Sequence, residues 1–220
     1  MQLLIGVTLP PAGTVAHMAA ILLLGGASTR MGAPKADLDW HGRPLAAHMA
    51  EVLLRADVGP VVAVAAPDQA VTPLPEGVEL VRDHVAGEGP LRGVEAGLEA
   101  LGDRADVAFV ASVDCPLLHP AFARALTAAI GPDDDLLVPA AQGFRHPLTA
   151  AWRTSTLPVV RAALAEGVAG PGYLFDRVRT RFLDEAALLA LPGVGEADPR
   201  LDSLRNANTP EEYAALGGGR

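Results

Sequence analysis

Short runs of aliphatic residues alternate with longer, alanine- and leucine-rich stretches along most of the 220-residue chain, and the two patterns predict different elements. Continuous apolar runs such as VAFVASV are typical of strands that are buried on both faces. The predicted strands are Ala19–Leu24, Val61–Ala65, Val78–Val81, Val107–Ser112 and Leu136–Pro139. The predicted helices are Leu45–Ala56, Gly93–Leu101, Ala121–Ile130, Val159–Glu166 and Pro210–Leu216. This alternation predicts a single-domain α/β fold of three layers, α/β/α, around a Rossmann-like, mostly parallel sheet.

No shift in composition divides the chain, so we expect one domain over residues 18–216. Met18 stands immediately before the first predicted strand, and residues 1–17 are expected to form a non-essential N-terminal extension. The segment PGVGEADPR at 192–200 predicts a surface loop, and the glycine-rich end predicts a frayed tail over residues 217–220.

The charge and composition exclude several classes of protein. The formal net charge is −9 and aromatic residues make up only 4% of the chain, so neither the basic field nor the stacking platforms of a nucleic-acid binder are present. The apolar stretch Val15–Ala27 is too short to span a bilayer, and no positive charge precedes it as in a signal peptide. One cysteine, Cys115, excludes an intrachain disulfide and fits a cytoplasmic location.

A glycine-rich segment, LLLGGASTRMGAPK, follows from the first predicted strand and carries the most specific signal in the chain. Glycines let backbone amides approach an anion closely, and successive amides can form a concave nest for phosphate. The spacing matches neither a Walker loop nor GxGxxG, which argues against a dinucleotide-dependent oxidoreductase. An ordinary turn between a strand and a helix, with solvated cations, remains the alternative interpretation of this segment.

The basic residues divide into two kinds. Sixteen of the 17 are arginines, and Lys35 is the only lysine. Lysine is a compact point charge whereas arginine is a wide planar fork, so the two are not interchangeable near crowded phosphates. Arg30 and Lys35 would supply, at this segment, the positive charge that the acidic chain lacks elsewhere.

These residues resemble the molybdenum cofactor guanylyltransferase family, the MobA-like nucleotidyltransferases. The segment LLGGASTRMGAPK is similar to the family signature L-x-G-G-x-S-x-R-M-G-x(2–3)-K. Further matches follow in the family's order, and they are Gly42–Leu45, Asp83 with Gly89–Gly93, Val113–Pro116, Pro147–Leu148 as a strand, and Asn206–Glu212. Together the matches cover residues 19 to about 216.

The resemblance implies a fold of the nucleotide-diphospho-sugar transferase type and an activity. A nucleoside monophosphate would pass from a nucleoside triphosphate, GTP being favoured, to the phosphate of molybdopterin or the molybdenum cofactor, and pyrophosphate would leave. The implied catalytic residues are Arg30, Lys35 and Asp114, and the implied ligands of a Mg²⁺ cofactor are Asp114 and Asn208. The implied nucleotide-binding residues are Leu23, Leu24, Gly25, Gly26, Ser28, Lys35, Asp83, Gly89 and Pro90.

Three positions depart from the family pattern. Pro34 replaces the aspartate that often precedes the lysine, Val113 replaces the cysteine of C-D-x-P, and residues 65–68 lack the asparagine that helps to read the base. The donor therefore stays open between GTP and CTP, and a sugar or alditol phosphate is an alternative acceptor. A non-catalytic nucleotide-binding protein is the alternative of a different class.

The sequence favours structural roles for several other polar positions. We expect Thr209 to be the N-cap of the last helix. We expect Cys115 to be a small buried residue and not a nucleophile. Asp133–Asp135 predicts a solvated loop rather than a metal cluster. Arg92 either contacts a phosphate or is exposed to solvent. Arg145 and His146 either contact the anionic acceptor or form a solvated turn.

Overall fold

The computed structural model describes residues 16–25, 34–85 and 87–219. The strands in chain order are β1 (Met18–Leu23), β2 (Val61–Ala65), β3 (Val78–Arg82), β4 (Val107–Ser112), β5 (Leu136–Ala141), β6 (Phe144–Arg145), β7 (Thr149–Arg153) and β8 (Thr180–Leu183). The helices are α1 (Leu45–Arg55), α2 (Pro90–Leu101), α3 (Pro120–Ala128), α4 (Leu157–Ala165), α5 (Glu185–Leu189), α6 (Val194–Ala197) and α7 (Pro210–Ala215). The five strands and five helices predicted from periodicity are confirmed with small shifts of their ends.

The described strands form one mixed sheet in the order β3-β2-β1-β4-β7-β5-β6, with β8 paired to β5. Strands β3, β2, β1 and β4 are parallel, and β7 lies antiparallel between β4 and β5. The chain steps from β1 outward through β2 to β3 and then returns to β4 on the other side of β1. Ligands of open α/β sheets bind at the carboxyl ends of the strands at such a reversal of strand order.

Helices cover both faces of the sheet, which confirms the predicted three layers. Alternate residues of β1 point into opposite layers because side chains alternate along a strand. Ala20 and Leu22 pack in the layer that contains α1 and α3, whereas Ile21 and Leu23 pack in the layer that contains α2 and α4. Among the described helices, none has the length and apolar character needed to cross a bilayer.

Strands β6 to β8 and helices α5 and α6 lie where periodicity predicted no element. The predicted surface loop at 192–200 is wrong in its middle, because α6 occupies Val194–Ala197 and buries Val194. The carboxylate of Asp198 is also buried, and it accepts hydrogen bonds from the backbone N–H groups of the next short turn. A helix of four residues is too short to show periodicity. The strand expected at Pro147–Leu148 begins instead at Thr149.

The two ends of the chain differ in how much is described. Residues 1–15 of the expected extension lie outside the described residues, but the backbone of His17 exchanges hydrogen bonds with Asp106 just before β4. In the expected tail, Gly218 donates a backbone hydrogen bond to Tyr213 and Gly219 donates one to Asp39. Gly218 lies against the Tyr213 ring with no room for a Cβ, so the described part of the tail is attached to the domain.

Gly97 of α2 sits directly on β1, and this contact yields a stability prediction. A Cβ at Gly97 would lie 2.5 Å from Ile21 Cγ2, a branch of a fully buried side chain. We expect Gly97→Ala to lower the free energy of unfolding by about 1–3 kcal/mol through overpacking, although alanine favours the helix by about 1 kcal/mol. Urea unfolding measures the change.

Gly93→Ala is the matched control in the same helix. Its Cβ would meet only Leu23 Cδ2 closely, at 3.0 Å, and this terminal methyl group can rotate away. Gly93→Ala should therefore lower the free energy of unfolding by less than Gly97→Ala does. An unchanged or higher stability of Gly97→Ala would contradict the described packing.

Candidate active site

The candidate site lies where β1 and β4 end side by side, at the reversal of strand order. Leu23 pairs with Ser112, and the N–H of Val113 donates to the C=O of Leu23 at 3.1 Å. Beyond these residues, one strand leads into Gly25 and the other into Asp114. The predicted phosphate loop and the predicted metal ligand thus start from neighbouring strand ends. Gly26, Ser28 and Arg30 fall within residues 26–33, which lie outside the described residues.

Lys35, Asp114 and Asn208, all predicted from the sequence, come together at this point. Lys35 lies in a 3-10 turn, Lys35–Asp37, and its Nζ is 2.8 Å from Asn208 Oδ1 and 3.4 Å from Asp114 Oδ2. The Lys35 and Asp114 side chains are only 16% and 18% exposed. The side-chain oxygens of Asp114 and Asn208 therefore both contact the Lys35 ammonium, in a position that is partly shielded from solvent.

The segment before α7 places Asn208 in the site. The N–H of Ala207 donates to the backbone C=O of Asp114 at 2.8 Å, which joins this segment to the end of β4. Thr209 caps α7 in a capping box with Glu212, so the predicted N-cap is confirmed. The N–H of Asn208 also donates to the Glu212 carboxylate, at 2.7 Å. These bonds hold the backbone at Asn208 and leave its side-chain oxygen directed at Lys35.

The same helix holds the loop that follows Lys35. The hydroxyl of Tyr213 donates to the C=O of Asp39 at 2.8 Å, and its ring packs against Trp40, with 5.5 Å between ring centroids. Trp40 is buried, so this contact belongs to the core. Helix α7 consequently fixes both Asn208 and the backbone that carries Lys35.

The chain beyond Asp114 is held by buried groups. Cys115 is buried as predicted, and desolvation raises the pKa of its thiol far above the usual range, so it stays protonated. His48 of α1 donates from Nε2 to the C=O of Pro116 at 2.9 Å. Burial lowers the pKa of His48, which favours the neutral ring. His48 was not predicted from the sequence, where its only signal was its position just after the Gly42–Leu45 match.

Asp83 follows β3, on the far side of β2 from β1, and Gly89 precedes α2; the described contacts link neither residue to Lys35. The N–H of Asp83 donates to the C=O of Ala65 at 2.9 Å, and its carboxylate accepts from the N–H of Val85 at 2.7 Å. Gly89 has φ 88° and precedes Pro90, the first residue of α2. A Cβ at Gly89 would lie 2.8 Å from the Cβ of Ala169, so both the backbone angle and the packing require glycine.

Arg92 is bound by carboxylates rather than exposed to solvent. Its guanidinium lies 2.7 Å from Glu88 and 3.1 Å from the buried Glu95. Hydrogen bonds to these two carboxylates raise the pKa of Arg92. Glu95 also contacts Arg161 of α4 at 3.3 Å. Glu95 therefore joins α2 to α4, and Arg92, which pairs with Glu95 within α2, fits a structural role.

The acidic run at Asp133–Asp135 is not simply solvated, so that prediction is wrong for two of its members. Asp134 pairs with Arg181 at 2.7 Å and Asp135 pairs with Arg179 at 2.8 Å, which attaches the turn before β5 to β8. Of the three carboxylates, that of Asp133 alone is almost fully exposed.

Arg145 and His146 also have partners within the chain. The Arg145 guanidinium lies 4.4 Å from the centroid of the Phe182 ring. His146 hydrogen-bonds through Nε2 to the C=O of Ala141 at 3.1 Å, and burial lowers its pKa. These contacts hold β6 against its neighbours.

Gln69 lies beside Gly25, and it was not predicted from the sequence. Its side-chain amide accepts a hydrogen bond from the N–H of Ala66 at 3.1 Å and donates one to the C=O of Leu24 at 3.2 Å. The amide therefore spans the carboxyl ends of β1 and β2. Gln69 follows the four residues where the family's base-reading asparagine is absent, and that proximity was its only signal.

Comparisons with known proteins agree with this arrangement. A family model described as MobA-like NTP transferase domain matches residues 20–180. The chain is 33% identical over 201 residues to the molybdenum cofactor guanylyltransferase of Rhizobium meliloti (strain 1021), covering 88% of this chain and 87% of that protein.

Two solved structures share the fold. Molybdopterin-guanine dinucleotide biosynthesis protein A from Archaeoglobus fulgidus superposes with a TM-score of 0.73 at 21% identity, covering 90% of this chain and 96% of that one. The 2-C-methyl-D-erythritol 4-phosphate cytidylyltransferase from Thermus thermophilus superposes with a TM-score of 0.64 at 16% identity, covering 90% and 96%. The predicted nucleotide-diphospho-sugar transferase type of fold is confirmed.

Proposed function

The chain belongs to the MobA-like NTP transferase family and is a nucleotidyltransferase, and from this premise we propose that it joins the guanylyl unit of GTP to the phosphate of molybdopterin or the molybdenum cofactor. The names of the curated relatives support this choice of donor and acceptor. The convergence of Lys35, Asp114 and Asn208 at the reversal of strand order carries the proposal.

The oxygen donors at this point fit Mg²⁺, which we propose as the cofactor. The Asp114 carboxylate and the Asn208 side-chain oxygen are hard ligands of the kind that magnesium takes. Both already contact the positive charge of the Lys35 ammonium. Across the described ranges, no group of three or more His, Cys, Asp or Glu side chains could hold a metal ion. Magnesium commonly completes its coordination with phosphate oxygens and water, and when bound it would offset negative charge on the donor phosphates.

The chain's own residues have two tasks in this reaction. The attacking phosphate is already an anion at neutral pH, so the protein needs to position it and to stabilise developing charge rather than to remove a proton. We assign the charge on the β- and γ-phosphates to Lys35 and to Arg30, which lies outside the described residues. We assign the nucleotide cradle to the backbone of Leu23, Leu24 and Gly25.

The far side of the same edge would take the nucleoside. Asp83 is proposed to contact the ribose or the base, and the N-terminal amides of α2, which follow the turn at Gly89–Pro90, are proposed to face the nucleotide as well. A cytoplasmic location, where GTP is supplied and Cys115 stays reduced, completes the proposal.

Nucleotide choice is tested by a thermal-shift panel of GTP, CTP, ATP and UTP, each with Mg²⁺. A ligand at 100 times its dissociation constant adds about 2.7 kcal/mol to the free energy of unfolding. We expect GTP to give the largest shift. The largest shift with CTP would make the protein a cytidylyltransferase, and no shift with any of the four would contradict the proposed function.

A further inference from the structure

The backbone hydrogen bonding between β1 and β2 lacks its last hydrogen bond at the carboxyl ends of the two strands. The N–H of Leu24 donates to the C=O of Val64 at 2.8 Å, and the next rung of a regular parallel ladder would join Ala66 N–H to Leu24 C=O. The Gln69 amide bridges these two groups instead, at 3.1 and 3.2 Å. The strands therefore separate here by the width of one amide group.

An amide in this place has the hydrogen-bonding pattern of a nucleobase edge. The backbone offers one donor, Ala66 N–H, beside one acceptor, Leu24 C=O, and the Gln69 side chain answers with one acceptor beside one donor. Guanine presents O6 beside N1–H, and cytosine presents N3 beside its amino group. Either base edge can make the pair of bonds that Gln69 now makes.

The position also suits the base of a nucleotide whose phosphates lie at Lys35 and Asp114. Strands lie about 4.8 Å apart in a sheet, so the Leu24–Ala66 gap is displaced from the end of β4 by one to two strand spacings, toward Asp83. Gly25 carries no side chain to fill the space beside the gap, where a Cβ added to it would lie 3.6 Å from Ala66 N and 3.8 Å from the Gln69 side-chain oxygen. A nucleotide laid across the strand ends would bring its base to this place.

We infer that Leu24 C=O and Ala66 N–H read the edge of the nucleotide base, and that the Gln69 amide holds their place until the nucleotide displaces it, a role that rests on the proposed function. The backbone of this loop has its own support, since the Arg82 guanidinium donates to the C=O groups of Ala66 and Gln69. Only the Gln69 side chain has to rotate away. Gln69 thus sets nucleotide affinity by competing with the base.

Gln69→Ala should bind GTP more tightly than the wild type, because no side chain then competes for the backbone pair. Two hydrogen bonds of ordinary net strength, offset by the side-chain entropy that the bridge costs, predict about three- to tenfold tighter binding. Isothermal titration calorimetry with GTP and Mg²⁺ measures this. Inorganic tripolyphosphate with Mg²⁺ is the control ligand, since it has no base and should bind both proteins equally.

Gln69→Met, which keeps the length of the side chain without its hydrogen-bonding groups, should also bind GTP more tightly and replaces Gln69→Ala if that variant does not fold. Weaker or unchanged GTP binding in the folded variants would overturn the inference, as would an equal gain for tripolyphosphate. If the wild type binds neither GTP nor CTP, the proposed function itself fails. Binding by the wild type without a gain in the variants contradicts only the role of Gln69.

Discussion

Asp114→Ala is expected to lower the turnover number for nucleotidyl transfer by at least about 100-fold, because it removes a preorganised charge from the point where the phosphates would react. The fold at this point should survive, since Ala207 donates to the backbone C=O of Asp114 and not to its side chain. Steady-state rates of pyrophosphate release, with circular dichroism to check folding, measure the effect.

Asp133→Ala is the matched control for this substitution. Its carboxylate is 98% exposed and its only described ion pair, with Arg179, is 3.7 Å long, so the same change of residue there should leave the turnover nearly unchanged. A near-normal turnover in folded Asp114→Ala would remove Asp114 from the catalytic group.

Lys35→Ala is likewise expected to lower the turnover by at least about 100-fold. The ammonium group is mostly shielded from solvent and lies between two oxygen atoms, where a single compact charge fits. Lys35→Arg should therefore fail to restore the rate although it keeps the charge, because the guanidinium is wide and planar. Steady-state kinetics on both variants, with turnover and KM separated, test the two statements.

Arg200→Ala removes a cation that is 80% exposed and paired with Asp202, and it serves as the control for a general loss of positive charge. Its turnover should match that of the wild type. A Lys35→Arg variant with wild-type turnover would show that charge alone matters, and a Lys35→Ala variant with wild-type turnover would contradict the proposed role altogether.

The part of the fold that surrounds these two residues could be predicted because it is strongly patterned. The apolar runs of β1 and β4 are almost wholly buried, and the motifs that contain Lys35 and Asp114 follow directly from these two strands. The structure brings the three side chains of the site together although Asn208 lies 173 residues from Lys35. The family resemblance predicted that these side chains lie close together, whereas their spacing along the chain did not.

Other features left no readable pattern in the sequence. Strand β6 has two residues and α6 has four, which is fewer than either period needs. The acidic run was predicted to be solvated because its partners, such as Arg181, stand far from it, 47 residues beyond Asp134. The Gln69 amide stands where a backbone hydrogen bond between β1 and β2 would otherwise form, and only the three-dimensional strand register shows this position.

The proposed reaction transfers the nucleoside with its α-phosphoryl group from GTP to a phosphorylated acceptor. The most direct measurement follows GTP labelled either at the α- or at the γ-phosphate, with Mg²⁺ and molybdopterin, and separates the products. We expect the α-label to join the acceptor while the γ-label leaves as pyrophosphate, both only with acceptor present. Release of the γ-label as orthophosphate, or no transfer of the α-label to the acceptor, would contradict the claim.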